Sequence, residues 1–109
     1  MSERRLLPQR RAAETFAVEW GGMTGKFAVT LGFYENGDLG EIFISGGKSG
    51  EQVEAIARDA AVILSMALQF GAKLETITAA VTRDSQGAPS SIIGAVLDEL
   101  KRRSDEGGD

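Results

Sequence analysis

The segment Gly46-Gly47-Lys48-Ser49-Gly50 has the composition of an anion-binding turn. Glycines free the backbone N–H groups, Lys48 brings a counter-charge, and Ser49 can open a helix whose positive end faces the same point. The segment matches only the last part of the phosphate-binding loop G-x-x-x-x-G-K-[ST], because Ile42 stands where that pattern needs glycine. The strand leading into it also belongs to an antiparallel hairpin, whereas phosphate loops follow strands of parallel sheets. A glycine-rich strand-to-helix turn with a serine N-cap accounts for the same residues. Gly47, Lys48, Ser49 and Gly50 are therefore read as a weak anion site at most, and not as a centre of nucleotide hydrolysis.

Other reactive groups are few. The 109 residues include no Cys and no His, which excludes thiolate nucleophiles, imidazole bases, disulfides and the usual zinc sites. No catalytic or metal-ligating set is assigned. Glu51, Glu54 and Asp59, like Asp98 and Glu99, fall on the outer sides of two expected helices and read as solvating charges. Arg83 and Asp84 lie in the polar loop TRDSQGAPS. Loops carry function more often than cores do, so this pair is a candidate partner-binding element, although a turn-stabilising ion pair explains it as well.

Charge is unevenly spread. Arg4, Arg5, Arg10 and Arg11 against Glu3 make residues 1–11 basic, while residues 12–100 are strongly acidic. An acidic body discourages contact with phosphate backbones, and no basic stripe interleaved with aromatics appears, so nucleic acid is not an expected partner. No apolar run reaches the ~20 residues of a membrane span, and the arginine-rich start lacks the apolar core of a secretory signal. A cytoplasmic location is expected. Residues 1–13 read as a flexible basic arm, 14–103 as one folded domain, and 104–109 as a disordered tail.

The elements that must position these residues follow from periodicity. Phe16, Val18 and Trp20 alternate on one face, then Phe27, Val29, Leu31 and Phe33, and a third strand runs through Leu-Gly-Glu-Ile-Phe-Ile-Ser. Asn36-Gly37 is the strongest short hairpin signal. A two-residue turn there sets Leu31 opposite Ile42 and Val29 opposite Ile44. The first hairpin is expected to set Trp20 opposite Phe27, Val18 opposite Val29, and Phe16 opposite Leu31. A Ser49/Gln52 capping box opens a long helix over about 49–70. Its apolar stripe is Val53, Ile56, Ala57, Ala60, Ile63, Leu64, Ala67 and Leu68, and Gly71 stops it. A short helix, or a strand, is expected around Leu74–Val81. A third helix begins from Ser90 or Ser91 and ends near Arg103. The fold class is α+β: a three-stranded antiparallel β-meander packed in two layers against a long helix and two shorter ones. On the opposite sheet face Tyr34 falls beside Leu39, and Thr30 beside Phe43. Tyr34, Leu39 and Phe43 thus form a candidate interface, covered either by a second copy in a symmetric homodimer, the favoured reading, or by the N-terminal arm through Leu6 and Leu7.

These pieces resemble the TSCPD domain, the small module at the C-terminus of adenosylcobalamin-dependent ribonucleotide reductases that also occurs as short stand-alone proteins. The resemblance rests on RRLLPQRR, on GDLGEIFISGGKSG and on ARDAAVILSMALQFGAKLETI, in that order, and it covers most of residues 4–100. One departure is informative. Where the motif Thr-Ser-Cys-Pro-Asp is due, this chain has Ser90-Ser91-Ile92-Ile93-Gly94, so no thiol role carries over. The resemblance implies an accessory module, not catalytic alone, whose partner is a ribonucleotide reductase chain. Adenosylcobalamin belongs to the related full-length enzymes and is not expected on this chain. The alternative is a phosphate- or nucleotide-binding module built on the GGKSG turn.

Overall fold

Period-two alternation becomes strands here because each strand can bury one apolar row while its other row stays wet. A computed structural model describes residues 3–20, 26–46 and 51–107. Its elements are β1 (Ala13–Glu19), β2 (Lys26–Phe33), β3 (Leu39–Gly46), α1 (Glu51–Gln69), α2 (Leu74–Ala80) and α3 (Ile92–Gly107). The strands form one antiparallel sheet in the order β1-β2-β3. The fold is α+β, as expected. The chain divides into two compact units, one up to Ala72 with the sheet and α1, the other from Lys73 with α2 and α3.

In the first unit the inward row is the expected one. Phe27, Val29, Leu31, Ile42 and Ile44 are all buried, and α1 closes over them with Ala57, Ala61 and Leu64. Leu31 faces Ile42 and Val29 faces Ile44, also as expected.

The first hairpin differs from its expected register. Val18 pairs with Phe27 and Phe16 with Val29, two residues from the expected alignment, and β1 ends at Glu19 before Trp20 can pair. An even slip keeps every side chain on its face, so the apolar pattern alone does not distinguish the two registers.

The second turn also differs. A tight two-residue turn needs positive φ at both central residues, yet only Gly37 has it. Tyr34 N–H bonds Asp38 O at 2.8 Å and Gly37 N–H bonds Tyr34 O at 2.9 Å, which makes 35–37 a three-residue loop. The pairing then slips between Gly32 and Phe33, leaving Gly40 as the extra residue of a bulge. A Cβ at Gly40 would lie 2.6 Å from the Tyr34 ring and 2.7 Å from Leu7, so any larger residue there forces that packing to shift.

α1 ends as expected. Gly71 adopts φ of 100°, Gly71 N–H bonds Leu68 O at 3.0 Å and Ala72 N–H bonds Ala67 O at 2.9 Å. This is a Schellman cap. The Ser49 cap at the other end lies outside the described residues. The apolar stripe is only partly inward: Ala57 and Leu64 are buried, but Ile56 and Ile63 are 59% and 70% exposed.

In the second unit, residues 74–80 are helix rather than strand. Ser91 caps α3 by accepting the Gly94 N–H at 3.1 Å, and Ile92, Val96, Leu97 and Leu100 are buried. α3 continues to Gly107, past the expected end near Arg103. Pairs from Glu99 to Arg102 (2.6 Å) and Arg103 (2.8 Å) brace the turns before that extension.

Candidate functional site

In the second unit a cleft of about 590 Å³ lies between α2 and α3. Glu75, Thr78, Arg83, Asp98, Lys101 and Asp105 line it. Its centre is a fork. Arg83 Nη2 donates to Asp98 Oδ1 at 2.7 Å and Nη1 to Asp98 Oδ2 at 3.0 Å. The same guanidinium donates to Thr78 O at 3.2 Å and Gly87 O at 3.1 Å. One planar cation thus ties the last turn of α2, the 82–90 loop and α3 together, which a lysine's single nitrogen does not reproduce.

Arg83 therefore does not pair with Asp84, its expected neighbour. Asp84 Oδ1 instead accepts the N–H groups of Gln86 at 2.8 Å and Ala88 at 3.0 Å, closing its own turn. Gly87, at φ of 86°, completes the loop, and Asp84 N–H bonds Ala88 O at 2.8 Å. Asp98, expected as a solvated charge, is the fork's other half. The Arg83 hydrogen bonds hold its carboxyl below the ordinary aspartate value, and Arg102 and Arg103 do the same for Glu99. Such carboxylates stay ionised and are poor proton carriers near neutrality. The cleft suits recognition by charge and hydrogen bonds rather than acid–base chemistry.

The first unit holds a second polar constellation. Ser65 and Gln69, buried on α1, serve the edge strand β3. Ser65 Oγ accepts the Ile42 N–H at 2.8 Å and donates to Ile42 O at 3.0 Å. Gln69 Nε2 donates to Gly40 O at 2.9 Å. Gln69 also receives the N-terminal segment: its Oε1 accepts from Arg4 Nε at 2.6 Å and its backbone O from Arg5 N–H at 2.7 Å. The Arg5 guanidinium stacks 3.6 Å over the Tyr34 ring, whose hydroxyl donates to Arg5 O. Arg11 Nε bonds Glu41 Oε2 at 2.5 Å. The segment expected as a free arm is thus hydrogen-bonded to β3 and α1.

These contacts redistribute the expected interface residues. Tyr34 is buried, with the Arg5 guanidinium over its ring and Leu7 beside the same Gly40 that the ring meets. Leu39 is half-buried. Phe43 is 54% exposed, among the small or polar neighbours Thr15, Thr30, Ala28 and Ser45. Gly47, Lys48, Ser49 and Gly50 lie outside the described residues. Gly46, the last described residue before them, donates its N–H to Glu54 Oε2 at 3.1 Å, and the same oxygen accepts from Arg58 Nη2 at 3.0 Å.

A small α+β module without thiol or imidazole is what the fold and the sequence define. The TSCPD domain model matches residues 2–103, and the chain belongs to that family. The vitamin B12-dependent ribonucleotide reductase of Bradyrhizobium diazoefficiens is 35% identical over 82 residues, 75% of this chain but 6% of that protein. The enzyme of the same description from Agrobacterium fabrum is 36% identical over 80 residues, 73% of this chain and again 6% of the relative. No solved structure matches the chain significantly. Among the described residues, no helix is long and apolar enough to cross a membrane.

Proposed function

We propose that this chain is a partner-binding or regulatory module linked to ribonucleotide reduction, and that it performs no reduction itself. The observation that carries the reading is the match itself: most of this chain aligns with a small fraction of two B12-dependent reductases. On this reading the shared segment docks on or regulates a larger chain that does the chemistry. The composition supports a non-catalytic part, since the chain lacks Cys and His. The Arg83–Asp98 cleft supports recognition, since it gathers Arg83 and Lys101 with Glu75, Asp98 and Asp105 on one surface.

The experiment is co-purification. The tagged chain, recovered from its own cells, is expected to bring down a large ribonucleotide reductase subunit, and Arg83→Ala is expected to reduce the yield. Recovery of the chain without any reductase subunit, at expression levels where it is soluble, would count against the reading.

A further inference from the structure

One residue of the N-terminal segment is bonded at both its backbone groups and along its side chain. The Arg5 N–H donates to Gln69 O at 2.7 Å, and the Arg5 carbonyl accepts from the Tyr34 hydroxyl. Its guanidinium lies 3.6 Å over the Tyr34 ring and donates to Asp38 Oδ2 at 3.2 Å and to Asn36 Oδ1 at 3.3 Å. Two residues on, Leu7 occupies the space that Gly40 leaves by having no side chain, since a Cβ there would be 2.7 Å from it. Backbone bonds to one residue, an aromatic face for its cation and a notch for an apolar side chain are the means by which domains read peptides.

The body braces this groove without help from the segment. Gln69, the last residue of α1, is held by its own bond to Gly40 O at 2.9 Å. Its backbone O is one of the end carbonyls that a helix leaves open. Tyr34 stands at the neck of the 35–37 loop, closed by its N–H on Asp38 O and by the Gly37 N–H on its own carbonyl. Asn36 Nδ2 donates to Asp38 Oδ2 at 3.0 Å. Parts fixed by one another keep their arrangement when a ligand leaves, and such a site binds at lower cost.

The segment itself is held loosely. Residues 3–12 form no helix or strand, and Leu6 is 70% exposed. The Arg5 and Asp38 side chains are both at least half open to water, where an ion pair contributes little. A hollow of about 430 Å³ is lined jointly by the segment, at Leu6 and Pro8, and by the loop, at Glu35 and Asn36. Arg11, bonded to Glu41, marks the root from which residues 4–8 extend.

We infer that the groove between the 35–37 loop and the C-terminal end of α1 is a recognition site for an arginine-x-leucine peptide, and that residues 4–8 are a tethered ligand which another such peptide replaces. The occupant is a basic peptide because the groove turns the Asp38 carboxylate and the Tyr34 ring toward a cation, and because a segment of that kind is already seated there. A short tether holds its ligand at an effective concentration of about 1 mM. The groove is therefore closed by default, and a free peptide enters to the extent that it outcompetes residues 4–8. This inference is independent of the link to ribonucleotide reduction.

The test uses the full chain and a labelled peptide copying residues 3–11, followed by fluorescence anisotropy. Arg5→Ala weakens the chain's own segment and is expected to bind the peptide about tenfold more tightly than wild type, as when a tethered competitor is lost. A peptide of the same composition in scrambled order is expected not to bind, and Asp38→Asn added to Arg5→Ala is expected to weaken binding of the true one. Equal affinity in wild type and Arg5→Ala, or for the two peptides, would overturn the inference. Amide exchange of wild type is a second measurement that needs no variant. The Arg5 N–H is expected to exchange through local opening, at a rate insensitive to low urea, while the Val29 N–H exchanges only on unfolding. Equal protection of the two would show the segment to be a fixed part of the fold, and would overturn the inference as well. Neither measurement involves a reductase, so each proposal can fail while the other stands.

Discussion

Ser65 interrupts the apolar run Ile63-Leu64-Ser65-Met66-Ala67-Leu68, and its hydroxyl supplies the donor and the acceptor that Ile42 lacks on the open edge of β3. An edge strand with unpaired N–H and C=O groups invites another strand. Here a helix side chain answers it. Ser65→Ala strips both bonds and leaves the Ile42 backbone buried without partners, which is expected to destabilise the first unit by about 1–3 kcal/mol. Urea titration reads the loss, and amide exchange at Ile42 is expected to rise more than at Val29. Equal exchange at both sites would mean that Ser65 is a spectator. The Asp98 carboxyl titrates below its ordinary value of 3.8 because Arg83 hydrogen-bonds its charged form. A depressed folded value stabilises above the unfolded value and is lost as pH falls through the folded one. Wild type is therefore expected to lose melting temperature as pH falls from 5 to 3. Asp98→Asn is expected to start lower and to fall less steeply over that interval.

The C-terminus of α1 isolates a single backbone effect. Gly71 holds φ of 100°, and a Cβ there would have nothing within 4 Å. Gly71→Ala therefore adds strain without a clash, about 1–2 kcal/mol for an L-residue in the left-handed region, and a drop of about 4–16 °C in melting temperature for a domain of this size. An unchanged melting temperature would show that the cap relaxes to another geometry. Gly71 was legible in the sequence because a helix stop is local: the stripe ends and glycine follows. The inward row of β2 and β3 was legible for a similar reason, since alternation marks a half-buried strand. The bulge was not. It depends on Gly40 meeting Tyr34 and Leu7, residues brought together only by the fold. The Arg83 fork was hidden likewise, because Asp98 lies a helix turn and a loop away while Asp84 is adjacent. α1 misled in a third way: its apolar stripe is wider than the part that is covered, so Ala57 and Leu64 are buried while Ile56 and Ile63 at its margin stay exposed. Ser65 and Gln69 looked like polar interruptions, and no local signal distinguishes a buried hydrogen-bonding serine from a tolerated one.

The whole chain lacks the thiol and the imidazole on which much side-chain chemistry rests. Its relatives are ribonucleotide reductases, yet it spans 6% of their length. Reducing a ribonucleotide moves two electrons and replaces a hydroxyl with hydrogen. Among side chains the ordinary two-electron donor is a thiol pair that closes to a disulfide, and this sequence has no cysteine. An added dithiol could supply electrons, but the substrate would still need a site that excludes water and positions a proton carrier. The clefts described here are open, and the carboxylates paired with arginine, Asp98 and Glu99, are held ionised. Purified chain mixed with a ribonucleoside diphosphate, adenosylcobalamin and excess dithiol is therefore expected to form no deoxyribonucleotide above a protein-free control, read by chromatography of the nucleotides. Added to a B12-dependent reductase under the same conditions, it is expected to change that enzyme's rate or its affinity for substrate. Turnover by the chain alone, at a level that scales with its concentration and survives repurification, would show that reduction does not need the thiols it lacks.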